Sequence, residues 1–522
     1  TFYVKPDLRI HAEEVQINDK MQNPMIYVGK FDAKLSLRDL TTELRAKNVN
    51  IDDLLINLVK YEDDYNMNIS ELFASDKDEK QEDKDKSKSK MIYLDELNLS
   101  RGHFVLWNQN RDKPEKVSMD YSHLDIDSIY LSLSKVSFNG DTIFGYIHDL
   151  RGEDKSGFVI DEFNSPSKFL VSSRGIAFKS LNLHSHATML DLDLQFLYNG
   201  YSNYRKFVDS IYIIANIHPS QLTLSDLRYF SPVMGKMTDT LQIQGLISGF
   251  VRDFVAKDFN FSFKDSTDFK GTIKMRGLPD FFETHMVGNV EKMNFTYQDI
   301  SEFAVPTATT RIPLPEMLAC IKEAVISGEF YGFHNNFNTE FNLHTNVGNI
   351  YFDGALNNDM FIVPKPYYFF TMYANKLNVK DILGLKDDLM LTFVSDMSGE
   401  GMTKEDADLQ IDLDVEKMKL YDNELKDFVI SCDMENQRLV AQTDINSNLI
   451  KLDVNGMLDV SGKVPSFDVK MNVENADLYR LRLLDLDNKM LLSTKVMANL
   501  RGDNIDRMYG KVRLDSTVYC DS

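Results

Sequence analysis

The chain has 522 residues, with 58 Lys and Arg against 80 Asp and Glu and a net charge of −22. That balance lacks the basic footprint that neutralises phosphates, so nucleic acid is excluded as an expected partner and a solvated acidic surface is expected instead. No window holds eighteen largely apolar residues, and Cys320, Cys432 and Cys520 stand far apart without a CxxC pair, so no spanning helix, disulfide framework or zinc site is expected.

From the N-terminus, residues 1–75 read as one module. Leu8 to Val15, Tyr27 to Leu37 and Val49 to Leu58 carry apolar alternation that predicts strands, with a short helix over Leu37 to Leu44. Residues 76–90 (DKDEKQEDKDKSKSK) contain no apolar side chain and cannot repay the entropy of ordering, which predicts a charged disordered loop. Strand signals resume in a segment spanning 91–217. There Leu190, Leu192, Leu194 and Phe196 alternate with Asp191, Asp193 and Gln195. His184 and His186 share one face of a predicted strand; with no third ligand nearby in sequence they read as ordinary polar positions rather than as metal ligands.

Residues 218–522 write one phrase four times: Leu222, Asp226, Leu227, Phe230; Phe295, Asp299, Ile300, Phe303; Leu377, Asp381, Ile382, Leu385; and Val473, Asp477, Leu478, Leu481. The Asp residues lie 73, 82 and 96 positions apart. Each phrase is followed by a small polar or basic residue and Gly, expected to open a strand: Ser248-Gly249, Ser327-Gly328, Ser398-Gly399 and Arg501-Gly502. A unit reused at a loose period implies an elongated stack whose members complete their core against neighbours. The phrase reads as a strand end entering one or two helical turns, with the Asp as the cap and Asp299 with Glu302 resembling a capping box. A longer helix is expected from Leu314 to Ala324, after Pro313 and Pro315.

Between the phrases run strands with one dry and one wet face. Phe259, Phe261 and Phe263, then Phe337, Phe341 and Leu343, then Leu409, Ile411 and Leu413 with Val415, and finally Phe467, Val469 and Met471 mark the dry face. This alternation is the signature of antiparallel sheet. Asp125/Asp127, Asp191/Asp193 and Asp412/Asp414 fall on the wet face of the same strands. No GxSxG, Walker, GxGxxG or HExxH motif occurs, so no catalytic residue, cofactor or metal site is expected. Two arrangements cover such apolar faces: a closed sandwich or barrel, or a long sheet folded lengthwise into a hydrophobic groove.

The order of these features resembles the AsmA and TamB proteins of double-membraned bacteria, most closely the large TamB-like proteins of the Bacteroides group. Tyr65 to Phe73 (YNMNISELF) resembles the "N-I-x-x-L" phrase closing that family's first unit. Ile147 to Phe158 (IHDLRGEDKSGF) with Leu181 to Thr188 (LNLHSHAT) looks like its middle section, and Asp226 to Pro232 (DLRYFSP) like its recurring "D-L-x-x-F-x-P".

The resemblance implies a mostly β protein, an elongated antiparallel sheet curled lengthwise into an open hydrophobic groove (β-taco) with a few short helices. It implies a periplasmic location, tethered to the inner membrane by an upstream helix not in this chain, and passage of phospholipid toward the outer membrane. An Omp85-type barrel is the partner expected of a C-terminal domain that this chain lacks. The candidate groove residues are the sixteen dry-face residues Leu190, Leu192, Leu194, Phe196, Phe259, Phe261, Phe263, Phe337, Phe341, Leu343, Leu409, Ile411, Leu413, Phe467, Val469 and Met471. The rival expectation is a scaffold or chaperone for outer-membrane protein assembly, acting through sheet edges.

Overall fold

In the computed structural model of the chain, the described residues are 1–36, 43–64, 66–70, 91–112, 118–264, 266–305, 314, 316–358, 363–403, 405–482, 490–502 and 508–521. Contacts divide the chain into two compact units. The first comprises Thr1–Asp265, Thr272–Thr284 and Phe303–Ile312, and the second Ser266–Gly271, His285–Glu302 and Pro313–Ser522.

Twenty-eight strands pair into one sheet. They are β1 (Phe2–Val4), β2 (Arg9–Asn18), β3 (Pro24–Ser36), β4 (Glu43–Lys60), β5 (Met91–Asn108), β6 (His123–Asn139), β7 (Thr142–Asp154), β8 (Val159–Ile160), β9 (Glu162–Ser172), β10 (Gly175–Ser185), β11 (Thr188–Leu197), β12 (Tyr212–Thr223), β13 (Thr240–Phe250), β14 (Asp253–Phe263), β15 (Thr267–Arg276), β16 (His285–Phe295), β17 (Ala324–Gly332), β18 (Asn336–Thr345), β19 (Gly348–Asn357), β20 (Tyr367–Asn378), β21 (Leu389–Glu400), β22 (Asp408–Leu420), β23 (Asn423–Glu435), β24 (Arg438–Asn446), β25 (Lys451–Asp459), β26 (Ser466–Asp477), β27 (Met490–Arg501) and β28 (Tyr509–Asp521). Helical material is brief: α1 (Phe207–Ser210), α2 (Tyr297–Glu302), α3 (Val379–Leu383) and a few 3-10 turns.

The mostly β, antiparallel character read from the alternation holds. Among the described pairings each strand meets its successor in antiparallel register, apart from β8, a two-residue strand beside β7, and β4, which meets β5 in parallel. The sheet is open: β1 pairs with β2 and β28 with β27, and neither pairs with anything else described. No barrel closure is present among the described strands. Strand ends do the folding over, as described below.

The first unit holds two apolar clusters. One is small, Ala33, Ala46 and Val49 with Phe31, Ile51, Leu94 and Leu97 beside them. The other gathers Leu181, Leu192, Ala215, Ile217, Leu241, Ile243 and Phe263 from β10 to β14. In the second unit one cluster runs from Ala374 in β20 to Val473 and Ala476 in β26.

Three local expectations are corrected. Leu314 to Ala324 does not form a helix; a single 3-10 turn, Glu316–Cys320, is followed by β17 from Ala324, where the β-branched run Val325-Ile326 favours strand. The four residue-plus-Gly pairs do not open strands but lie inside or at the ends of β13, β17, β21 and β27. Glu43 and Leu44 belong to β4 rather than to a helix, while the rest of that expected helix and the charged run 76–90 lie outside the described residues.

Candidate functional site: the apolar face

In the second unit the strand register sorts the dry face into parallel rows. Ala374, Phe393, Val415 and Phe428 form the first, continued in later strands by Ile445, Leu452 and Val473. The second passes through Met372, Leu413, Ile430, Val454 and Met471, and the third through Phe370, Met397, Ile411, Cys432 and Val469. The fourth passes through Tyr368, Leu409, Met434, Leu439, Leu458 and Phe467. Six of those seven first-row residues are buried, Leu452 being half-buried, whereas every named residue of the other three rows is half-buried. Opposite faces carry Asp396, Asp412, Ser431, Gln442, Asn455 and Lys470 in register.

Close packing on this face sometimes requires glycine. A Cβ on Gly328, whose φ is +145°, would lie 2.0 Å from the Glu340 carbonyl oxygen and 2.8 Å from the Phe341 ring. One on Gly354 would lie 2.1 Å from the ring of Phe370. Two titratable groups on the face report its low polarity. Burial, with Asp433 and Asp412 nearby, pushes the Cys432 thiol up, and burial also raises the Tyr368 hydroxyl.

All sixteen candidate groove residues lie on strands, and none of them is exposed. Leu192 and Phe263 are buried; the other fourteen are half-buried. In the first unit Leu192 pairs with Leu181 and Ile217, Leu194 with Phe178 and Ala215, and Phe261 with Ile243. Phe196 meets the edge of Phe207 in α1, ring centroids 5.7 Å apart. In the second unit Phe337, Phe341 and Leu343 face Leu356, Phe352 and Ile350.

What bounds the first row is the repeated Asp phrase. Leu478 and Leu481 pack with Leu449, Ile445, Phe428 and Val415 in the second unit's cluster, so the turn after β26 lies over the end of the dry face. Its backbone reaches back three strands: Asn423, which begins β23, donates to the Arg480 carbonyl oxygen at 2.5 Å, and Arg482 pairs with Asp422 at 3.1 Å. Similarly α3, after β20, lies against the 3-10 turn that precedes β17.

In the first unit the turn Leu224–Tyr229 follows β12 and reaches farther. Tyr229, 2% exposed, accepts a backbone hydrogen bond from Met119, stacks on His186 and sits against the edge of Phe158. These turns act as straps that join strand ends several places apart along one rim. β16, β20 and β26 all end at the same rim because each is an even number of steps from the next along an antiparallel sheet. Three strands lie between β16 and β20 but five between β20 and β26, which accounts for the longer last spacing.

The expected role of the Asp residues is only partly correct. Asp477 accepts from the Arg480 amide, as a cap does. In α3, however, Asn378 is the cap and accepts from the Asp381 amide, and Thr296 does the same for Asp299. Asp226 and Asp299 instead accept from the hydroxyls of Thr188 and Thr267, the first residues of β11 and β15, at 2.7 and 2.9 Å. Each carboxylate thus ties its turn to the start of the preceding strand.

Sequence reasoning missed Phe393, Phe428, Ile445 and Leu449. Phe428 escapes because Asp427 has a left-handed backbone (φ 55°) that breaks the period of two, putting Leu425 and Phe428 on the same side. His184 and His186 do not converge: His184 pairs with Glu162 at 3.4 Å, while His186 lies against Tyr229. Among the described residues no group of three or more His, Cys, Asp or Glu is placed to hold a metal ion. No protein-family model matches the chain, and neither does any curated protein or solved structure.

Proposed function

We propose that the chain is a lipid-carrying trough, its floor the apolar face and its wall the row of straps, which passes phospholipid acyl chains between two membranes without enzyme chemistry. One observation supports this reading above the others: from β20 to β26 three adjacent rows, apolar but for Ser395 and Thr443, keep their large apolar side chains partly accessible while the first row is buried. An ordinary core would bury them. Each methylene kept out of water is worth roughly 0.8 kcal/mol, so a two-chain lipid crossing water unaided faces on the order of 20 kcal/mol, and a continuous apolar floor removes most of that barrier. With the AsmA and TamB resemblance, this favours a periplasmic bridge between inner and outer membrane, tethered by a helix upstream.

The test is co-purification. Lipid extraction and native mass spectrometry of the wild type should find bound phospholipid, and the double variant Ile411→Glu, Val469→Glu should lose it while keeping its β signal by circular dichroism. The reading fails if the wild type carries no lipid, or if the variant keeps it.

A further inference from the structure

The wet face of the second unit carries a feature that neither the apolar rows nor the straps use. Leu391, Met418 and Leu425 pair across β21 to β23 and pack into the core, so their neighbours Met390, Thr392, Lys417, Lys419, Glu424 and Lys426 point to the opposite side. The ladder is irregular there. Asn375 and Lys376 both stand against Thr392, with Lys376 left-handed at φ 53°, and Glu416 is an extra residue between the partners of Thr392 and Phe393. Such bulges bend a strand and re-aim its side chains. Here Lys376 and Glu416 join the others around a cavity of about 540 Å³, which Tyr373 also lines.

The lining is rich in donors. Lys376, Lys417, Lys419 and Lys426 face only Glu416 and Glu424, a surplus of two positive charges on a chain whose net charge is −22. Glu424 holds Lys417 at 2.5 Å and Lys426 at 3.4 Å, which brings two ammonium groups to one carboxylate. Lys376 and Lys419 form no ion pair with any described residue, and Asp388, the carboxylate that feels Lys419, is already held by Lys380 at 2.6 Å. Thr392 accepts the Lys376 amide at 3.1 Å and keeps its own hydroxyl hydrogen to donate. A cation is repelled by this surplus, whereas a phosphate monoester, with about two negative charges and strong acceptor oxygens, complements it.

We propose that this cavity binds a small soluble phosphate monoester, its dianion held by Lys376 and Lys419 together with the two lysines that Glu424 positions. The space beyond the phosphate is bordered by the ring of Tyr373, 36% exposed, which offers an organic group a stacking surface. The site lies on the face opposite the apolar rows and does not depend on the lipid reading.

Isothermal titration calorimetry of the full chain at about pH 8, where such phosphates are dianions, tests this. Phenyl phosphate should bind at one site per chain, inorganic phosphate more weakly, and phenol not at all. The double variant Lys376→Gln, Lys419→Gln should weaken phenyl phosphate binding about tenfold or more with its circular dichroism unchanged. Glu424→Gln, which removes the competing carboxylate, should strengthen it. The site is overturned by the absence of saturable binding, by wild-type affinity in the lysine variant, or by unchanged or weaker binding in Glu424→Gln. Flotation with phosphatidylcholine vesicles containing phosphatidic acid separates the sources of phosphate: lysine-dependent flotation without binding of phenyl phosphate assigns the lysines to a lipid surface and overturns the soluble ligand, and binding of phenyl phosphate without flotation supports it.

Discussion

Met119 donates its amide hydrogen to the carbonyl oxygen of Tyr229 at 2.8 Å, and these residues stand at strand ends five places apart in the sheet, one before β6 and the other after β12. The bond is the longest-reaching tie among the straps. Tyr229 is buried, its hydroxyl 3.1 Å from His186 Nε2 and accepting from Arg228 at 2.6 Å. Tyr229→Ala should cost about 3–5 kcal/mol, in line with aromatic truncations in cores. Hydrogen exchange should quicken at the starts of β6 and β11 together, though some sixty residues separate them in sequence; an effect confined to Leu224–Tyr229 would mean the turn holds nothing in place.

In the second unit, Leu478→Ala and Leu481→Ala should each cost about 2–5 kcal/mol, because both side chains are about 95% buried against several strands. Urea melts measure the cost. Leu409→Ala, in the half-exposed fourth row, should cost less than either.

Thr267→Val removes the hydroxyl donor to the buried Asp299 carboxylate at nearly constant volume. A loss of about 1–3 kcal/mol is expected, since a buried carboxylate then lacks one donor. Combined with Asp299→Asn, a double-mutant cycle should return a coupling of the same order, and additive effects would disprove the tie.

Two groups set opposite pH dependences. The carboxylate of Asp32, 2.8 Å from Nδ1, outweighs desolvation and raises the His11 imidazole above its ordinary 6.5. Its contribution is full below that ordinary value and is lost as pH rises through the folded value. The stability advantage of wild type over His11→Gln should therefore shrink as pH rises above the ordinary 6.5 in thermal melts. At the far rim the Ser461 hydroxyl and amide, and then Arg438, push the Asp459 carboxyl down to about 2. That contribution is present above 3.8 and is lost as pH falls from there toward 2, so the advantage over Asp459→Asn should vanish in acid.

The wet and dry faces were legible because side chains alternate with a period of two wherever one side of a strand is apolar, as from Leu409 to Val415. Depth along the strand was not: nothing in the spacing of Leu413 and Val415 says that only the second lies under a strap, since Leu478 and Leu481 cover it from sixty residues away. The parallel pairing of β4 with β5 was invisible for a related reason, because a strand's face pattern is the same whichever way its neighbour runs. The capping residues were readable but misassigned: Thr296 and Asn378 stand three places before their Asp, the spacing at which a side-chain oxygen reaches the third amide of a helix.

The parity of the strapped rim limits how such a chain can grow. The stretch from β20 to β26 holds one pair of strands more than that from β16 to β20, and it still leaves the later turn on the same side. One added strand would send the next turn to the far rim. A sheet that keeps its turns on one rim is therefore lengthened by whole hairpins, in steps of two strands, close to 10 Å each.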